Sequence, residues 1–238
     1  MQGNKIVAVV IHYYPERSGN VRRIVSDLLA GSRKPDKIIV FNNNPAVLTV
    51  GMLRDYPDVS VVDSNTNFTS RAKYGAAMLE PADYYLLCDD DITVGPKTLE
   101  ALERYATPSM CTAFRGVNLR EDSFSRGTDV WPHVVERPTP VDAFIGRMQF
   151  LSFQSIVNML AVEPAVRLDD KKYIYDGEDI LIGLCNHPII YPLRGEELPI
   201  DLKENGVSMF GSIPNYLGMR DEFTAKALRV LRSREAGR

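Results

Sequence analysis

The sequence predicts an α/β fold, a mostly parallel sheet flanked by helices. Three observations carry this reading. Apolar, often β-branched runs alternate with stretches of helical periodicity across residues 5–105. Three successive runs end in polar clusters, at 42–44, 63–67 and 89–91. In a parallel sheet these clusters share one edge, outside the carboxyl ends of the strands, where ligands bind.

In chain order, residues 5–11 (KIVAVVI) read as a buried strand that ends at His12. Val21, Ile24, Val25, Leu28 and Leu29 follow helical spacing from Gly19, and Gly31 stops that helix. Residues 37–41 (KIIVF) form a second buried strand and lead into Asn42, Asn43 and Asn44. A third, shorter strand at 59–62 precedes Asp63, Asn65 and Asn67. Thr69 or Ser70 caps a helix reaching to about Leu79, with Arg71 and Lys73 as its cations. The fourth strand, 82–88, ends in Asp89, Asp90 and Asp91. Pro96 suits the first turn of a helix that runs to about Tyr105.

The second half changes character. Residues 110–114 read as a strand, and 116–133 as polar and irregular. Short strands are expected at 134–135 and 141–145, and 147–153 mixes apolar and polar residues. Mixed or antiparallel strands with long loops suit the shaping of a second substrate's pocket. The stretch 173–179 opens an apolar helix over 180–184, with Glu178 and Asp179 in its first turn. Acids are favoured there by the helix dipole alone. A strand candidate at 188–192 precedes a charged, glycine-rich loop at 194–212, of the kind that serves as a lid. A basic amphipathic helix over 215–234 closes the chain, docked on the sheet. The expected organisation is one domain, 1–238, with a first half 1–107 and a second half 108–238.

Composition narrows the function classes. The 238 residues carry a net charge of −3, which gives no overall basic field for nucleic acid. Three cysteines without CxxC spacing suggest neither a disulfide framework nor a zinc site. No apolar run reaches membrane-spanning length and no signal peptide is evident, so the expected compartment is the cytoplasm. The acidic triplet is the sharpest chemical feature. Three adjacent carboxylates raise one another's pKa, and a hard divalent cation removes that cost. The plain alternative is a solvated turn. Amides and carboxylates on the shared edge suit a nucleoside, with a metal on its phosphates.

These features resemble nucleotide-sugar glycosyltransferases of the GT-A fold. Asp89-Asp90-Asp91 after a buried strand is similar to their metal-binding DXD motif, and Glu178-Asp179 to their later acidic motif. Within that fold the nearest likeness is the exostosin-like domain, through the asparagine pair after residues 38–41 and through Asn65, Asn67 and Arg71 ahead of the acidic strand. Asp142 with Gly146 is similar to a short acceptor-side motif. The likeness covers roughly residues 5–192.

The resemblance implies a metal-dependent transferase that takes a sugar from a nucleotide diphosphate sugar, a UDP-sugar by preference. Mn²⁺ or Mg²⁺ would sit on Asp91, with Asp89 as a second ligand. Asp89 or Asp90 would face the ribose or sugar. His12, Asn42, Asn43, Asn65, Asn67 and Arg71 would hold nucleoside and diphosphate, joined by a late basic residue drawn from His187, Arg194, Lys203 and Arg220. Asp179 would act at the reacting face, as base or beside the anomeric carbon, with Glu178 orienting it. Asp142 and Gly146 would lie on the acceptor side. The acceptor would be a glycan, small molecule or protein, with a nucleic-acid base ranked lower. Two other classes stay open. One is a sugar-phosphate nucleotidyltransferase, disfavoured because no glycine-rich loop follows the first strand. The other is a binding protein without turnover.

Overall fold

The computed structural model describes residues 3–46, 50–166, 177–202 and 213–236. Seven strands form one sheet in the order β3-β2-β1-β4-β9-β6-β7. The first four are β1 (Ile6–His12), β2 (Lys37–Asn42), β3 (Ser60–Asp63) and β4 (Tyr84–Asp89), all parallel. Next come β9 (Ala143–Ser152), antiparallel to β4, and a hairpin of β6 (Cys111–Arg120) and β7 (Ser123–Val130). Five of the seven strands therefore point the same way.

Every residue of β1 is buried, because both faces of the sheet are covered. Ile6, Ala8 and Val10 face helices α1 (Ser18–Ala30) and α3 (Thr98–Arg104). Val7, Val9 and Ile11 face the other layer. That layer holds α2 (Ala72–Ala77), α4 (Phe153–Val166), α5 (Glu178–Asn186) and α6 (Tyr216–Ala236). An uninterrupted apolar run is what burial on both faces requires.

The second half departs from the expected irregular region. Most of residues 116–133 belong to a hairpin, with a register shift between Asn118 and Arg120, whose turn, Glu121 and Asp122, has φ of 54° and 58°. Two left-handed residues match the twist of paired strands, but Glu-Asp lacks the Asn-Gly signature that would reveal such a turn. Val134 and Val135 lie in a turn, not a strand, with Val134 exposed. Residues 141–153 do not form short edge pieces. Ten of them make β9, which is inserted between β4 and β6 at the centre of the sheet. Helix α4 follows β9 with no intervening loop and was not among the expected elements. Residues 194–202 are not irregular throughout. They contain a 3-10 turn and β11 (Ile200–Asp201), paired with β5 (Ile92–Thr93) beside the acidic triplet. The remainder of the expected lid, and residues 173–176, lie outside the described residues. The two remaining short strands, β8 (Thr139–Pro140) and β10 (Ile189–Ile190), pair with each other.

Two features of β9 position the site. Between its pairs with β6, β9 advances from Ile145 to Gln149 while β6 advances only from Ala113 to Arg115. The surplus residues, Gly146 to Met148, bulge, and a bulge re-aims side chains. Helix α5 also lies unusually close to this strand. A Cβ on Gly183 would stand 2.8 Å from Ala143 Cα, and one on Gly146 would stand 2.8 Å from Asp179 Cβ. Glycine at both places lets the first turn of α5 press onto the bulge. Gly183→Ala must push α5 off backbone, so it is expected to destabilise the fold by about 1–3 kcal/mol. Urea denaturation reads this as a lower midpoint at unchanged slope. An unchanged midpoint would mean that the contact is not tight.

Candidate functional site

The carboxyl ends of β1, β2 and β4, the β9 bulge and the first turn of α5 meet at one place. Its centre is Lys73, on the short helix α2 and fully buried. Lys73 Nζ donates to Asp89 Oδ1 at 2.7 Å and to Gly146 O at 2.9 Å. It thus ties the end of β4 to the bulge. Asp179 arrives from the other side, where its Oδ2 accepts from Gly146 N at 3.0 Å. Arg220 Nη2, from α6, donates to Asp179 Oδ1 at 3.1 Å and Oδ2 at 3.0 Å. The two acidic motifs are therefore joined through the backbone N–H and C=O of one residue, Gly146, and one ammonium.

The rest of the triplet is also matched with cations. Asp90 is fully buried and turned inward. Its Oδ2 accepts from Tyr13 N at 2.7 Å and Tyr14 N at 3.1 Å, and its Oδ1 from Arg17 Nη1 at 2.8 Å. It fastens the exit of β1, with both carboxylate oxygens hydrogen-bonded within the protein. Asp91 Oδ2 accepts from Arg17 Nη1 at 3.1 Å and its Oδ1 from Arg147 Nε at 3.0 Å.

Burial and crowding shift these groups. Burial pushes the Asp89 carboxyl up to about 7, Lys73 pulls it back, and Asp91 adds to the rise. Burial also raises Glu178, with Asp179 adding to the rise, while Lys73 and a hydrogen bond from Ser70 oppose it. Glu178 Oε2 is buried with no hydrogen-bond partner among the described residues. Burial disfavours the Lys73 ammonium, but Asp89 and Glu178 outweigh it and the net shift is upward. The hydroxyls of Tyr13 and Tyr74 rise well above the usual phenol value, through burial and then the surrounding carboxylates.

Several of the residues expected to hold ligand are engaged with other parts of the protein. Asn42 and Asn43 are buried behind the edge, not exposed on it. Asn42 Nδ2 donates to Asp63 Oδ1 at 2.7 Å, which ties β2 to β3. Asn43 Nδ2 donates to Asn67 Oδ1 at 3.1 Å and Thr69 O at 2.8 Å, and its Oδ1 accepts from Phe68 N. These amides shape the 65–69 loop, and Asn65 and Asn67 are the exposed members of the set. His12 is buried, with Nε2 2.9 Å from Tyr14 O and 3.2 Å from Ser18 Oγ, inside the turn that Asp90 fastens. Arg71 points to α4, where it pairs with Glu163 at 2.9 Å, and so lies on the flank. Asp142 accepts from Leu119 N at 2.8 Å, which caps the hairpin side, whereas Gly146 lies at the centre of the site.

Of the late basic candidates, Arg220 is at Asp179. Arg194 binds backbone carbonyls of Pro132 and Val135, and His187 ends α5 at the opposite pole from Asp179. Lys203 is outside the described residues. Three cations of the site, Lys73, Arg17 and Arg147, had no site role in the sequence reading. The available signal was a charged residue in an otherwise apolar, alanine-rich helix, since a buried lysine needs a buried acid.

Comparison with known structures finds the same fold in TarS from S. aureus. Residues 1–349 of that protein in complex with UDP-GlcNAc match with a TM-score of 0.58 at 12% identity, over 87% of this chain and 60% of that one. A second structure of TarS 1–349 matches with a TM-score of 0.50 at 12% identity, over 77% and 55%. The chain thus spans little more than half the length of TarS 1–349. No protein-family model and no curated protein matches the sequence. At this identity the likeness shows the fold alone: the α/β, Rossmann-like sheet of the GT-A class.

The donor atoms of the triplet bear on the expected cation. Asp89 Oδ2 accepts no hydrogen bond among the described residues, and 19% of the side chain is exposed. Both oxygens of Asp91 are taken by guanidinium groups. Among the described residues no group of three His, Cys, Asp or Glu side chains forms a ready metal centre. Carboxylates are hard oxygen donors, and a Mg²⁺-type ion held by one or two of them draws its other ligands from phosphate and water.

Lys73→Met leaves Asp89 and Glu178 without their cation, at an expected cost of about 3–5 kcal/mol near pH 7.5. With the Asp89 carboxyl titrating near 7 and Glu178 raised, both become neutral in the folded protein as pH falls. The cost of the substitution should therefore shrink toward pH 5. Urea unfolding of both proteins at the two pH values tests this. A cost that is equal at both would mean that Lys73 supports packing and not charge.

Proposed function

We propose that this chain transfers a sugar from a nucleotide diphosphate sugar, a UDP-sugar, to an acceptor hydroxyl. The observation that carries this reading is the junction at Gly146, where Asp179 and the Lys73–Asp89 pair meet at the carboxyl edge of the sheet. The likeness in fold to TarS, solved with UDP-GlcNAc, supports the donor class. In this reading the nucleoside lies along the 65–69 loop and the β1 exit, and the diphosphate lies at Asp89 and Asp91. A Mn²⁺ or Mg²⁺ ion, when bound by Asp91 and Asp89, would supply Lewis-acid stabilisation of the leaving diphosphate.

Asp179 is the base. It takes the acceptor proton while the acceptor oxygen bonds to the anomeric carbon, and the electron pair of the broken bond leaves on the diphosphate. Arg220 and Gly146 N hold both carboxylate oxygens in place for this. Glu178, on the same helical turn, is directed to Ser70 and Lys73 and positions the turn. Displacement with Asp179 as base inverts the anomeric centre. The exostosin-like resemblance carries the retaining outcome instead, so the anomer of the product separates the two.

The test is nucleotide release from a panel of UDP- and GDP-sugars with Mn²⁺, for wild type and Asp179→Asn. Metal-dependent release from one donor is expected. The variant should lose about 10²–10⁴-fold in rate and keep donor affinity within a few-fold. Absence of both binding and release for every donor would overturn the reading. Full activity in the variant would remove Asp179 as the base.

A further inference from the structure

Arg147 and Arg17 both contact Asp91, yet they are held very differently. Arg17 is 4% exposed in its side chain and locked by Asp90. Arg147 is 29% exposed and stands on the β9 bulge, which aims it across at β4. It covers Asp91 with two contacts, Nε to Oδ1 at 3.0 Å and Nη2 to the backbone O at 2.7 Å. Its remaining nitrogen, Nη1, reaches Asp201 on β11 at 2.7 Å, and the Asp201 side chain is 67% exposed. The exposed Asp201 contact is released at little cost, whereas Asp91, 11% exposed in its side chain, needs a cation in place of Arg147 when Arg147 leaves.

Resting on the glycosyl-transfer reading, we propose that Arg147 occupies the cation position at Asp91 when no donor is bound, and yields it to a divalent ion when the donor diphosphate arrives. The chemistry is a direct competition. An ion at Asp91 Oδ1 needs the same lone pairs that Arg147 Nε uses, and two positive groups there repel. A diphosphate offers Arg147 a second anion of matching fork geometry. The ion then binds where Arg147 has left, with Arg17 still fixing Oδ2. Affinity for the metal is thereby coupled to the donor, and the site stays closed to free cations.

The test uses Mn²⁺ alone, titrated into the full chain without nucleotide and read as loss of the free-ion signal in electron paramagnetic resonance. Wild type should bind weakly. Arg147→Met should bind Mn²⁺ about tenfold more tightly or better, since a contacting positive charge is gone. Adding Asp91→Asn to it should abolish the gain. Arg147→Lys keeps the charge but not the fork, and serves if the methionine variant fails to fold. Its affinity should fall between the two.

Equal Mn²⁺ affinity in wild type and the Arg147 variants would overturn the proposal, and so would tight binding by wild type alone. This result is independent of turnover. If donor release is found but Arg147→Met gains nothing, only the exchange fails. If Arg147→Met gains Mn²⁺ but no donor is bound or cleaved, the transferase reading fails instead.

Discussion

Carboxylates can be gathered at a buried edge only if cations are buried with them. Here Asp89, Asp90, Asp91 and Asp179 are met by Lys73, Arg17, Arg147 and Arg220, each from a different element. An isolated buried charge costs several kcal/mol, so each pair also fixes where its two elements lie. Lys73 holds α2 to β4 and the β9 bulge, Arg17 holds the β1 exit to β4, and Arg220 holds α6 to α5. Removing Lys73, Arg17 or Arg220 takes the pairing cation from Asp89, Asp90 or Asp179, whereas Asp91 keeps Arg17 when Arg147 leaves. The charge pattern is therefore both the site and part of what holds the layers in register.

This arrangement explains why β9, from the second half of the chain, lies directly beside β4, the middle strand of the sheet. β9 runs beside β4 and carries the bulge that supplies Gly146 and Arg147. The edge of the parallel half alone would present acids with no opposing wall. With β9 inserted, α5 can reach them, because Gly146 and Gly183 remove the side chains that would hold it away. The site draws on both halves of the chain. In the proposed reading, the base Asp179 and the diphosphate edge meet at this joint.

The first half was legible because its physics is local. Runs buried on both faces, glycine and proline stops and polar clusters after strands all leave marks in the sequence, and the four parallel strands lie where those marks put them. β9 mixes Arg147 and Gln149 into a buried strand, and its charged residue is explained by Asp91 at the end of the neighbouring β4 and by Asp201. Helix α4 begins where β9 ends and contains Pro164, so neither a turn nor a clean period announces it. In the site, residue type was readable but direction was not. Asp89, Asp91 and Asp179 look alike in sequence to Asp90, yet Asp90 is spent on two backbone amides. Asn42 and Asn43 likewise carry the expected chemistry but use it inward.

The central claim is that the two acidic motifs form one donor site at the carboxyl edge of the sheet. Backbone amide NMR shifts on titration with UDP and then a UDP-sugar test it most directly. The account predicts that the perturbed amides cluster at 12–14, 65–69, 89–91, 145–147 and 178–180, moving together on one binding curve. Shifts confined to the far side of the β6–β7 hairpin, or a response of one motif without the other, would contradict it.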